Sequence, residues 1–121
     1  INNVDIKVNE IHYYMDYATA DISIQNSSDK NILLDTMEDV DTVFLQTSSG
    51  TKLTSFLSDF SQEDMILNAN NSKDINVRFN FSYSDSVKIQ SLCFTDVVMN
   101  YDVYMQGGLL QSDRQQFIIE I

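Results

Sequence analysis

The sequence predicts an all-β protein, an antiparallel β-sandwich of about seven to nine strands. Three observations predict it. Apolar residues recur with period two in several separate runs, which puts them on one face of a strand. Clusters rich in Asn, Asp and Ser punctuate those runs at short intervals, and these side chains hold turns by bonding their own backbone. Half of each run is polar, as in sheets with one wet face and one face on a shared core. Buried parallel strands would instead read as continuous apolar runs joined by crossover helices.

The elements follow in order. "NNVDIKVNE" alternates through Val4, Ile6 and Val8. "YATADISIQ" sets Ala18, Ala20, Ile22 and Ile24 on one face, and Thr19, Asp21, Ser23 and Gln25 on the other. "DTVFLQT" offers Val43 and Leu45. "KDINVRFNF" alternates most strictly, with Ile75, Val77, Phe79 and Phe81 against Asp74, Asn76, Arg78 and Asn80. At 100° per residue those four apolar side chains would scatter around a helix; at 180° they share a face. "QQFIIEI" adds Phe117, Ile119 and Ile121. The turns are "QNSSDKN", "TSSGTK", "NANNSKD", "SYSDS" and "QGG". A single helical turn is expected after Ser61, whose hydroxyl suits an N-cap before Gln62, Glu63 and Asp64,.

Gly107 and Gly108 stand between two apolar runs, and no phosphate-binding pattern surrounds them,. They predict a two-residue hairpin turn. A strict hairpin would oppose Asp102 to Asp113, an unfavourable like-charge pair. A β-bulge between Leu110 and Arg114 relieves it, setting Asp102 against Arg114, Met99 against Phe117 and Val97 against Ile119.

Length and charge bound the function. The 121 residues make one domain, 1–121,, and a chain of that size builds a core without metal or disulfide staples. A net charge of -11 repels phosphate backbones and anionic lipid, so neither nucleic acid nor a membrane surface is an expected partner,. No apolar run reaches the length of a membrane span. The start at Ile1 leads us to expect a trimmed or processed chain, one that would reach a membrane only through a tether outside it. Cys93, the sole cysteine, lies in the apolar run "IQSLCFTDVV" and is expected to be a buried thiol,.

Catalytic signals are sparse. His12 is the only histidine, hence the only base for a Ser-His-Asp triad, and no nucleophile elbow accompanies it,. It is expected at a surface or rim. One His and one Cys do not supply the usual nitrogen and sulfur ligands of zinc, and no cofactor is expected. Calcium needs only oxygen ligands, and "DTMEDVD" gathers Asp35, Asp39 and Asp41, with Glu38, as a candidate set,. "IHYYMDY" packs Tyr13, Tyr14, Met15 and Tyr17 into one short span. Alternation sends some of these rings to water, where aromatic side chains serve interaction surfaces; Tyr13, Tyr14 and Tyr17 are the candidate binding residues.

The layout also resembles a known family. "ATADISIQNSSDKNILL" resembles its early core strand, which ends in Asn before a polar turn with Lys and a short apolar strand. "LQTSSGTKL" resembles its next hairpin, and "LNANNSKDINVRFNF" its turn and long inward-alternating strand. The family is an immunoglobulin-like domain of unknown function on Gram-positive lipoproteins, similar in fold to the mycobacterial immunoprotective extracellular antigen. The resemblance spans roughly residues 4–121. It implies an immunoglobulin-like sandwich and a non-enzymatic, extracytoplasmic binding module, membrane-anchored or secreted. Its partner would be a protein or a cell-wall ligand. A protease-inhibitor-like sandwich and an accessory domain of a cell-wall or carbohydrate-active enzyme are the alternatives.

Overall fold

The computed structural model describes residues 3–39, 41–56, 60–82, 88–107 and 114–121. The described residues form nine strands: β1 (Val4–Tyr13), β2 (Tyr17–Asn26), β3 (Ile32–Leu33), β4 (Val43–Thr47), β5 (Lys52–Thr54), β6 (Ile66–Leu67), β7 (Asn71–Asn80), β8 (Ile89–Val98) and β9 (Arg114–Glu120). They build two antiparallel sheets, as the sequence predicts. One has the order β1-β2-β7. The other runs β5-β4-β8, with β9 on β8 and the short β3 and β6 joined at one end. The sheets are not closed into a barrel. Next to β5, Phe56 N–H donates to the Arg78 carbonyl at 2.8 Å and ties one sheet to the other.

Alternation sets the core. Ala18, Ala20, Ile22 and Ile24 of β2 and Ile75, Val77 and Phe79 of β7 are buried, while their neighbours in the chain face out. They join Leu45, Leu92, Phe94 and Phe117 of the other sheet in one apolar cluster. Cys93 is buried as expected, but not in that cluster. It pairs with Phe44, one step out of phase with the inward Leu92 and Phe94, so it lies on the outer side of its sheet.

Ser61 caps a 3-10 turn, Gln62–Met65, in a reciprocal capping box with Asp64,. The turn delivers Met65, fully buried, to the core.

The glycine pair is a correction. β8 stops at Val98 and the chain enters a short helix, α1 (Tyr101–Met105), capped by Asn100, whose side chain accepts from Val103 N–H. Tyr101 and Tyr104 both pack against the core cluster, a spacing of three that a helix meets and a strand does not,. Gly107 follows the C-cap at φ +73 and donates to the Tyr104 carbonyl at 3.0 Å; it ends a helix and is not part of a two-residue hairpin,. The register differs accordingly. Phe117 pairs with Phe94, Ile119 with Leu92 and Arg114 with Val98, and the bulge falls in β8 between Phe94 and Val97. The bulge expected between Leu110 and Arg114, with Gly108 and Asp113, falls on 108–113, outside the described residues.

Candidate functional site

β1 and β2 meet at a tight turn closed by Tyr14 N–H donating to the Tyr17 carbonyl at 2.9 Å. The turn carries large side chains into solvent: Tyr13 is 55% exposed, Tyr14 47% and Met15 79%. Such a group leaves water only when something covers it. Tyr14 stacks on Tyr17, with ring centroids 4.5 Å apart. The Arg78 guanidinium sits 4.8 Å from the Tyr17 ring centre and 6.0 Å from that of Phe56, within reach of the ring quadrupoles,. Tyr13 tilts against Phe81, just beyond the end of β7, at 5.3 Å. Tyr13, Tyr14, Met15 and Phe81 line an open concavity of about 450 Å³.

The three tyrosines named from the sequence are therefore neighbours at one end of the sandwich. Phe56, Arg78 and Phe81 complete the surface and were not legible as members. They arrive from β7 and from the segment after β5, and only the pairing of Tyr17 with Asn80 brings them alongside.

The acidic segment behaves differently. Met37 and Asp41 adopt positive φ, +61 and +60, and fold the chain between β3 and β4 tightly,. Asp35 turns inward and is fully buried, while Asp39 and Asp41 are exposed. Among the described residues these three do not converge as a ligand set; the three metal-ligand side chains that do converge are Glu10, His12 and Asp21. His12 is half-exposed, and its Nε2 faces Glu10 and Asp21.

Around Asp35 lies a polar network. Its Oδ1 accepts from Thr42 Oγ1 at 2.8 Å and from Met37 N–H at 3.3 Å, and its buried Oδ2 has no hydrogen-bond partner. Nearby, Asp96 accepts from Thr36 Oγ1 and from Arg114 Nη1 at 3.0 Å. Arg114 Nη2 also reaches Glu38 at 2.9 Å, and the Tyr104 hydroxyl donates to the same Glu38 oxygen at 3.0 Å. The network fastens β9 and α1 to the segment between β3 and β4.

Burial raises the Asp35 carboxyl above the ordinary carboxylate range. The Thr42 and Met37 bonds offset this in part, and the Asp96 charge adds to it. A raised carboxyl binds its proton more tightly in the folded state. Its contribution to stability is complete in acid, below the unfolded value, and is lost as pH rises through the folded value. Asp35→Asn keeps an oxygen for Thr42 and Met37 and carries no charge. It is expected to raise stability near neutral pH by about 1–2 kcal/mol and to flatten this loss. Urea unfolding at several pH values from about 4 to about 8 reads it. A variant less stable than wild type at neutral pH would show that an amide nitrogen in the buried, partnerless Oδ2 position costs more than the charge it replaces,.

No protein-family model and no curated protein matches the chain. The architecture and the exposed aromatic end define an all-β sandwich with a candidate binding surface at one end. The chain is similar to a functionally unknown protein from Listeria monocytogenes EGD-e, at 17% identity and a TM-score of 0.48. That likeness covers 87% of this chain and 58% of the Listeria protein, so the chain spans under two thirds of that protein's length.

Proposed function

We propose that this chain is a non-enzymatic binding module of a Gram-positive lipoprotein or surface protein. It works outside the cytoplasm and takes a protein or cell-wall ligand on its aromatic end. The exposure of Tyr13, Tyr14 and Met15 beside the stacked Tyr17 carries the reading. Stacking and the Arg78 contact fix two of the rings before any partner arrives, so little side-chain freedom is lost on binding. Aromatic residues held in this way are the usual anchors of an interface.

The test is a pull-down from the extracellular and wall fractions of a Gram-positive culture, with wild type, Tyr14→Ala and Tyr17→Ala run side by side. Truncating an anchor costs more than about 1–2 kcal/mol, so each variant is expected to retain its partner roughly tenfold less well. The exposed Tyr14 can be removed without opening the core, so folding is preserved there. Equal retention by all three proteins would remove the aromatic end as the binding surface.

A further inference from the structure

A second cluster lies on the outer face of the three-stranded sheet, and a register shift creates it. β1 and β2 pair regularly from Val4 with Asn26 to Val8 with Ile22; the next pair is Glu10 with Asp21. Asn9 is the extra residue of a bulge. Without it, Glu10 would oppose Ala20 and point inward. The bulge instead sends Ile11 inward opposite Ala20 and turns Glu10 outward opposite Asp21. The apolar pattern explains the bulge, since Val8 and Ile11 are three residues apart and a strand alone would put them on opposite faces.

The consequence is two carboxylates directly across from each other, an arrangement that destabilises a strand pair unless positive charge lies between them. His12, two residues beyond Glu10 on the same face, points its Nε2 at both. It is 3.6 Å from Glu10 Oε2 and 3.3 Å from Asp21 Oδ2, and the three ligand atoms lie within 4.8 Å of one another. Among the described residues no lysine or arginine forms an ion pair with either acid. Asn76, the cross-strand partner of Asp21 on β7, donates to Asp21 Oδ1 and leaves Oδ2 for the cluster. A donor that fixes a ligand from behind is the arrangement that orients metal-binding carboxylates.

We propose that Glu10, His12 and Asp21 bind one divalent transition-metal ion, zinc foremost. Ligands about 2.0–2.2 Å from a tetrahedral ion stand about 3.4 Å apart, which matches both distances from the histidine nitrogen. An imidazole with two carboxylates favours zinc, cobalt, nickel or copper over calcium and magnesium. Three protein ligands on an exposed face leave a fourth position open to solvent or to a donor from a bound molecule. The site adjoins the aromatic end, since His12 shares a cross-strand row with Thr19 and Arg78, but the inference does not depend on the function proposed above.

Isothermal titration calorimetry of the metal-free protein with zinc chloride tests it, with calcium chloride as the comparison and His12→Gln as the variant. One equivalent of zinc is expected to bind saturably. His12→Gln is expected to weaken binding at least about tenfold, with an unchanged circular dichroism spectrum because the side chain is half-exposed and outside the apolar core. Calcium is expected to bind far more weakly. Absence of saturable zinc binding would overturn the proposal. So would equal zinc affinity in His12→Gln, or calcium affinity equal to that for zinc.

Discussion

Phe79→Ala is expected to lower the unfolding free energy by about 3–5 kcal/mol, the usual cost of removing a core aromatic. That is a large share of the roughly 5–15 kcal/mol that holds a domain together. The ring is fully buried on β7, and its cross-strand neighbour on β2 is Ala18, also fully buried. A methyl group there leaves room that the phenyl ring fills, so truncation opens a cavity against a partner too small to collapse into it. Phe81, two residues on, is only half-buried and sits beside Tyr13. Phe81→Ala is expected to cost less than half as much, because solvent already reaches that ring. Urea unfolding of the two variants reads the contrast through the midpoint and slope. Equal losses would mean that the sandwich is sealed beyond Phe79 and that the concavity beside Tyr13 belongs to the core.

The same contrast shows what kind of information the sequence carries. Residues 17–25 and 74–81 announce their faces because every second side chain must leave water, a condition local to the strand. Partners are not announced. β3 and β6 are two residues long and exist because neighbouring strands hold them. A hairpin at Gly107 and Gly108 would extend the strand past Val98, and the chain does not follow it. Asn100 as a cap and Tyr101 with Tyr104 at helical spacing were the available signals for the turn of helix found there. The grouping of Tyr13, Tyr14 and Tyr17 was legible because a single tight turn makes sequence neighbours spatial neighbours. The same logic misled for Asp35, Asp39 and Asp41, since two left-handed residues between β3 and β4 send one carboxylate inward and leave the others in solvent. Glu10 with Asp21 was illegible for a third reason: their meeting depends on one inserted residue in β1.

Asn26 is where a sequence feature and a structural pin coincide, and its variants are expected to be costly. The stretch that ends its strand in Asn before a polar turn places this side chain, fully buried, at the end of β2. Its Nδ2 donates to the carbonyls of Lys30, Leu67 and Asn68 at 2.8, 3.1 and 3.2 Å. Its Oδ1 accepts from Ser28 N–H at 3.0 Å and Ser28 Oγ at 2.6 Å. One amide thus ties the turn after β2 to the end of β6 and the turn that follows it. Asn26→Ala removes all five bonds; the Lys30 and Asn68 carbonyls keep one other donor each, Ser28 Oγ and Asn71 N–H, both at 3.2 Å, and at about 1–3 kcal/mol per stranded group the expected loss is about 2–4 kcal/mol. Asn26→Asp is the sharper test. It keeps the oxygen that serves Ser28 but sets a second oxygen against three carbonyls, so near neutral pH it is expected to cost about 3–5 kcal/mol, as an uncompensated buried charge does. Part of that loss is expected to return in acid, where the introduced carboxyl gains a proton and can donate one bond. Stability of Asn26→Asp equal to wild type near neutral pH would show that the amide does not face those carbonyls. The aromatic turn lies at the other end of β2, about 30 Å away at strand rise. Any Asn26 variant that remains folded should therefore retain the proposed partner as wild type does, whereas Tyr14→Ala or Tyr17→Ala should weaken that retention roughly tenfold without moving the unfolding midpoint by a comparable amount.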